Sequence, residues 1–269
     1  VKAYSISQDN SILKIYGISQ DPVTKDYIMV LQYVDKGSFD NYKYFFKNCN
    51  WKKRIIILQY LIKGLKKIHD DKMVHHDFHI GNILILNYLV TDKFFSSNFN
   101  QVCISDMGLC GEVDNINETK IYGVMPYVAP EVLRGKPYTQ AADIYSFGMI
   151  MYFVVTGKQP FANCAHDNTL VVNICNGIRP EISEKGVPKC YIDLMKKCLD
   201  SNPENRPIAS KIEELIESFY YSIRGFTKDI LFNSEFKKQF EEAEEYRKKN
   251  VLSIENDQST THPHACYTS

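Results

Sequence analysis

The sequence predicts an α+β chain in which a short β-hairpin at the front leads into a mostly helical body. Three observations carry this. Two runs rich in Ile, Val and Tyr, Ile12 to Ile18 and Asp26 to Val34, flank a turn carrying Asp21-Pro22, the pattern of an antiparallel hairpin. After Asn50, a good N-cap, Trp51, Ile55, Leu58, Ile62, Leu65 and His69 recur at steps of four and three, the stripe of a long amphipathic helix that packs on a core. Beyond residue 131 the pattern turns helical: Thr139 caps an apolar helix that Gly157 closes, and further helices are expected near Asp167 to Asn176, Pro188 to Leu199 and Ala209 to Phe219.

The remaining elements follow in order. Gly37-Ser38 ends the second strand and opens a short weak helix, and Met73-Val74 is a short strand. The apolar run Ile83 to Leu86 and the strand Val102 to Ser105 frame a polar excursion from Tyr88 to Gln101. From Asp106 to Glu131 lies a long irregular segment, and such stretches inside a compact domain are usually functional or disordered. Residues 234 to 249 carry a charged helical pattern with Phe236, Phe240 and Ala243 on one stripe, read as a solvated surface element or a partner-docking helix. Residues 253 to 269 are polar, unpatterned and expected to be flexible.

Composition removes several function classes. In 269 residues, 32 Lys+Arg balance 32 Asp+Glu, so there is no global field to attract nucleic acid or an anionic membrane surface, and any phosphate chemistry must be local. Hydrophobic residues at 44% are enough to bury a core in one domain or at most two. The longest nearly apolar run, Ile144 to Val155, falls well short of the ~20 residues a spanning helix needs and reads as a buried core helix. The eight cysteines form no CxxC pair and no metal-ligand spacing, and no secretory signal is read, so reduced thiols in a cytoplasmic protein are expected. The chain opens on Val1 with a pattern already mid-element, as if cut at its front.

The stretch His75-His76-Asp77-Phe78-His79-Ile80-Gly81-Asn82 puts a carboxylate and a carboxamide five residues apart on one loop, and Asp106-Met107-Gly108 follows at the end of a strand. Two oxygen donors on adjacent loops, with a glycine letting the backbone turn beside the second, suit octahedral Mg²⁺ on a polyphosphate. With HHDFHIGN and DMG, the later VAPE and DIYSFG stretches resemble the eukaryotic protein kinase family, in order and at plausible spacing over roughly Val1 to Tyr221.

That resemblance implies a two-lobe fold with a mostly helical C-lobe and a partial N-lobe β-hairpin. Residues 1–36 would hold the end of a helix, two strands and the hinge of the N-lobe, 37–222 the C-lobe, and 223–269 the charged helix and flexible tail. The implied cofactors are ATP and Mg²⁺, and the implied partner is a protein substrate. Asp77 resembles the catalytic aspartate that accepts or orients the proton of the substrate hydroxyl, and Asn82 and Asp106 resemble the metal ligands. Leu31, Gln32, Tyr33 and Val34 match the hinge, whose backbone would bond the adenine edge, with Leu31 at the gatekeeper position and Leu84 as the floor under the ring. Glu131 and Arg206 resemble a structural ion pair, and Asp143 the carboxylate that caps the backbone of the His75 loop. Tyr4, Ile15, His75 and Met107 fall where the family stacks its regulatory spine.

The sequence departs from the family pattern in several places. Its glycine-rich loop, strand lysine and helix glutamate have no counterpart after Val1. His76 stands where many kinases carry an arginine that pairs with an activation-segment phosphate. The segment from Asp106 to Glu131 offers only Thr119, Tyr122 and Tyr127 as hydroxyls, so activation-segment phosphorylation is not expected to be required. The positions of the Ser/Thr-kinase lysine and the Tyr-kinase arginine hold His79 and Gly81, leaving His79 as the candidate cation near the γ-phosphate. Val124 replaces a threonine hydroxyl, and Cys110 reads as an inert thiol. Preference for Ser/Thr over Tyr rests on general similarity to the tyrosine-kinase-like group. The favoured reading is an enzyme; the alternative is a truncated pseudokinase whose helical lobe and tail serve as a docking surface for a partner.

Overall fold

The computed structural model describes residues 11–42, 46, 49–86, 102–107, 110–112, 123–183, 185–227, 231–250 and 261–267. Tyr4, Gly108, Thr119, Tyr122 and the whole excursion from Tyr88 to Gln101 lie outside the described residues.

The front of the chain is an antiparallel hairpin, β1 (Ile15–Gln20) on β2 (Tyr27–Leu31), with Ile15 opposite Leu31 and Gln20 opposite Tyr27. Asp21 makes the turn: its Oδ1 accepts from Val23 N (2.7 Å) and Thr24 N (2.9 Å). The first strand begins later than its composition suggests. Ser11 and Leu13 pair instead with Ile104, through Ile104 N to Ser11 O (2.9 Å) and Leu13 N to Ile104 O (2.8 Å), which leaves Ile12 in the core. The start of the apolar run therefore serves the C-lobe rather than the hairpin.

Helix α1 (Trp51–Asp70) forms where the stripe predicts it, with Asn50 Oδ1 accepting from Lys53 N at 2.9 Å. Trp51, Ile55, Leu58, Ile62 and Leu65 are buried along it. His69 is not a core residue: its Nε2 lies 2.9 Å from Asp143 Oδ2. Three short strand pairs complete the β content among the described residues. They are the hairpin, β3 (Met73–Val74) on β6 (Gly111–Glu112), and β4 (Ile83–Ile85) on β5 (Val102–Ile104), all antiparallel.

The helical body runs through α2 (Pro130–Leu133), α3 (Gln140–Thr156), α4 (Asn168–Cys175), α5 (Lys189–Cys198), α6 (Ala209–Arg224) and α7 (Ser234–Lys249). Helix α3 is buried from Ala142 to Val155, so it is apolar all round and forms the centre of the lobe. Thr139 occupies its N-cap position but makes no side-chain cap bond, while Gly157 closes it in the left-handed region at φ 65°. Asp167 caps α4, accepting from Thr169 N and Leu170 N. Among the described residues no helix is long and apolar enough to cross a membrane.

Helix α7 is part of this body rather than a separate solvated or free docking element. Its Phe240 is buried against Trp51 and Phe219, with ring centroids at 5.7 and 5.4 Å. Glu244 Oε2 accepts from Trp51 N (3.1 Å), placing a carboxylate at the amino end of α1, where the helix dipole favours it. Gln239 Oε1 accepts from Cys190 N at 2.8 Å, and any side chain at Gly186 would collide with the Tyr246 ring. A charged pattern with only three apolar positions does not state what covers those three; here the same chain does. Residues 261–267 are likewise laid against the loop between α3 and α4 rather than loose, with His262 N donating to Ala162 O at 2.8 Å.

Candidate active site

The loop 75–82 and the end of β5 come together through Asn82 and Ser105. Ser105 N and its hydroxyl both donate to Asn82 O, at 2.8 and 3.0 Å, so Asp106 is held beside the loop that carries Asn82. Asn82 Nδ2 donates to Asp77 O (2.9 Å) and to Asp77 Oδ2 (3.1 Å). With its amino group committed to Asp77, the carboxamide keeps Oδ1 as an oxygen donor. Asp77 is buried, whereas Asp106 is exposed and adopts φ 54°, a left-handed conformation that Asp tolerates better than most residues.

His79 is buried beside Asp77, its Nε2 at 3.4 Å from Asp77 Oδ1. Its Nδ1 accepts from Gly81 N at 3.2 Å, which assigns the proton of the neutral ring to Nε2, on the side of Asp77. The two departures from the kinase pattern in this loop are thus one device. A side chain at Gly81 would come within 2.6 Å of His79 Cε1, so only glycine lets the imidazole fold back over its own loop.

The loop is anchored from behind. Asp143 Oδ2 accepts from His75 N (2.8 Å) and faces His69 Nε2 (2.9 Å), while Oδ1 accepts from His76 N (3.3 Å). His76 stands at φ 72°, edge-on to Tyr138. His75 Nε2 donates to Ser105 O at 3.1 Å; burial pushes its pKa below the usual range, so the ring is neutral. Met107 is buried, and Cys110 Sγ lies 3.5 Å from its sulfur; burial pushes the Cys110 thiol up, as expected of an inert group.

Glu131 and Arg206 form a buried bidentate pair, both N–O distances 2.7 Å. Arg206 also donates to Ala141 O (2.8 Å) and Asp200 O (2.9 Å) and lies over the Tyr145 ring. On the nucleotide side, Gly37 and Ser38 pair with Ile85 and Leu84, joining the residues after the hinge to β4. Leu31 and Tyr33 are exposed and Gln32, Val34 and Leu84 half-buried. Gln32 N donates to Lys14 O (2.8 Å), so adenine-edge bonding would fall to the other backbone groups of residues 31–34.

Sequence reasoning missed a polar relay beside this site. Tyr127 OH donates to Gln159 Oε1 (2.7 Å), Gln159 Nε2 donates to Asp40 Oδ1 (2.8 Å), and the Tyr127 ring lies 6.0 Å from that of His79. Burial raises the Tyr127 pKa well above its usual value, so the hydroxyl remains a donor. The three residues are far apart in sequence, and only VAPE following Tyr127 points toward them.

Both oxygen donors are hard, and among the described residues no three His, Cys, Asp or Glu side chains gather as a metal centre. A divalent ion at Asn82 and Asp106 would therefore complete its shell with phosphate and water oxygens, the habit of Mg²⁺.

The family model described as Protein kinase domain matches residues 1–219. The chain is 27% identical over 199 residues to a protein kinase and PP2C-like domain-containing protein of Arabidopsis thaliana, covering 64% of this chain and 30% of that one. It is 28% identical over 217 residues to receptor-interacting serine/threonine-protein kinase 1 of Homo sapiens, covering 73% and 30%. It is 26% identical over 226 residues to RGS domain-containing serine/threonine-protein kinase A of Dictyostelium discoideum, covering 82% and 18%. The chain thus spans less than a third of the length of each of these relatives. Two tied loops carrying Asp77, Asn82 and Asp106, in a chain matched by the family model along most of its length, place it in one family: the chain belongs to the protein kinase domain family.

Proposed function

We propose that the protein transfers the γ-phosphoryl group of Mg-ATP to a Ser or Thr hydroxyl of a protein substrate. The observation that carries this is the joining of Asp77, Asn82 and Asp106 on two loops tied through Ser105. The relatives' names, two of them serine/threonine-protein kinases, support the enzyme over a binding module and the Ser/Thr choice over Tyr.

In this reading Asp77 takes the proton of the substrate hydroxyl as its oxygen bonds to phosphorus and the bond to the ADP oxygen breaks. Asn82 holds the Asp77 carboxylate in orientation. Asn82 and Asp106 hold Mg²⁺, which when bound neutralises charge on the phosphate oxygens. His79 directs Nε2–H at the Asp77 side of the site, in the place of the usual lysine. The backbone of Leu31 to Val34 takes the adenine edge over Leu84. His75, Asp143 and the Glu131–Arg206 pair act behind the site as anchors. The eight cysteines stand as free thiols, which supports the cytoplasmic placement expected from their spacing.

The test uses the full-length protein with Mg-ATP and a peptide library offering Ser, Thr and Tyr. Phosphate should enter Ser and Thr peptides, and Asp77→Asn or Asp106→Asn should lower kcat by about 10²-fold or more with circular dichroism unchanged. Absence of both transfer and a thermal shift with Mg-ATP in the natural protein would overturn the reading.

A further inference from the structure

Residues 220–269 lie beyond the region matched by the family model, yet the end of this stretch makes directed contacts with the loop between α3 and α4. Four contacts fix one register. His262 N donates to Ala162 O (2.8 Å), His166 N to His264 O (3.1 Å), and Tyr267 OH to Pro160 O (2.9 Å). His166 Nδ1 lies 2.7 Å from Cys266 O and 3.0 Å from Cys266 N, while His166 Nε2 faces Phe161 O at 3.3 Å. The Tyr267 ring stands edge-on to His166, with centroids 4.7 Å apart. The segment turns at residues 263–264, where Ala265 N donates to His262 O (2.9 Å), and is anchored on either side of that turn by backbone bonds and by the Tyr267 side chain, contacts of the kind by which a groove holds a peptide.

The groove borders the candidate site. Pro160 follows Gln159, the middle member of the Tyr127–Gln159–Asp40 relay, and Tyr127 stands beside His79, which faces Asp77. Beside this segment opens a cavity of about 460 Å³, lined in part by Tyr152, Phe161, Leu170 and Ile178.

We propose that residues 158–166 with Tyr152 form a docking groove for a short peptide containing a turn, filled in cis by the chain's own residues 261–267, so that this segment competes with the protein substrate. The competition rests on the kinase reading; the docking does not. A short tether gives an effective concentration of about 1 mM, so a tail with an intrinsic Kd of about 0.1 mM would raise the substrate KM about tenfold.

The experiment compares the full chain with Tyr267→Ala and with a chain ending at residue 260. Hydrogen exchange should accelerate across 158–166 in both variants, and a fluorescent peptide of residues 261–267 should bind the shortened chain and not the full one. Substrate KM should fall about tenfold with kcat unchanged. Unaltered exchange in both variants, or no binding of the peptide to the shortened chain, overturns the docking whatever the enzyme does. Docking with an unchanged KM overturns the competition. Docking in a full-length protein that transfers no phosphate upholds the groove and overturns the kinase reading.

Discussion

Replacing Asp143 with Asn isolates the anchor of the 75–82 loop, because the change is nearly isosteric and removes only charge and one acceptor. Asp143 is 2% exposed and serves three donors, His75 N at 2.8 Å, His69 Nε2 at 2.9 Å and His76 N at 3.3 Å. The best orientation of the amide keeps its oxygen on His75 and His69 and turns its amino group toward His76 N. Two bonds then lose their charge assistance, about 1 kcal/mol each, and a buried N–H loses its acceptor, about 1–3 kcal/mol, giving about 4 kcal/mol in all. For a chain of this size that is roughly 10 °C in Tm. Urea denaturation measures the loss directly, and amide exchange should accelerate first at His75 and His76. A loss below about 1 kcal/mol, or unchanged exchange at those two amides, would refute the view that Asp143 holds the loop.

Three further outcomes follow from the same geometry. Arg206→Met should cost about 3–5 kcal/mol in denaturant midpoint experiments, because it strands a buried Glu131 carboxylate, and Glu131→Leu added to it should recover part of that loss. His79→Ala should lower kcat about ten- to a hundredfold while leaving the KM for ATP nearly constant, since the ring faces Asp77 rather than the hinge; an unchanged kcat would make it a loop-packing residue. Burial pushes the thiols of Cys49, Cys103 and Cys198 up to about 12 from 9.0, so between those values the folded chain holds protons that the unfolded chain releases. Their stabilising effect is fully present below pH 9 and is lost as pH rises toward 12. Stability measured at pH 10 should be lower than at pH 8 by about 1 kcal/mol per thiol, an effect removed by Cys→Ala or Cys→Ser variants that remain folded.

What was legible in the sequence had a local period or a motif. Helix α1 and its cap, the buried α3 and the two loop stretches all follow from short-range patterns. What was not legible depends on contacts distant in the chain. Ile12 reads as hairpin by composition, but Ile104 claims its neighbours. His69 falls on the apolar stripe by spacing, yet its ring meets a carboxylate 74 residues away. The Tyr127–Gln159–Asp40 relay crosses separations of 32 and 119 residues, where no periodicity reaches. In the loop itself His79 and Gly81 look like two independent losses, and only the folded geometry shows that the second makes room for the first.

Helix α1 spans 20 residues, a rod of about 30 Å. At its amino end it receives a carboxylate from α7, and at its carboxyl end it hands His69 to Asp143, the group that grips the 75–82 loop. The tail helix and the site therefore share one beam. A protein trimmed to the family boundary near residue 219 would uncover Trp51 and strip the first amide of that beam of its acceptor. Helix α7, through Lys249, thus belongs to the packing that supports the site.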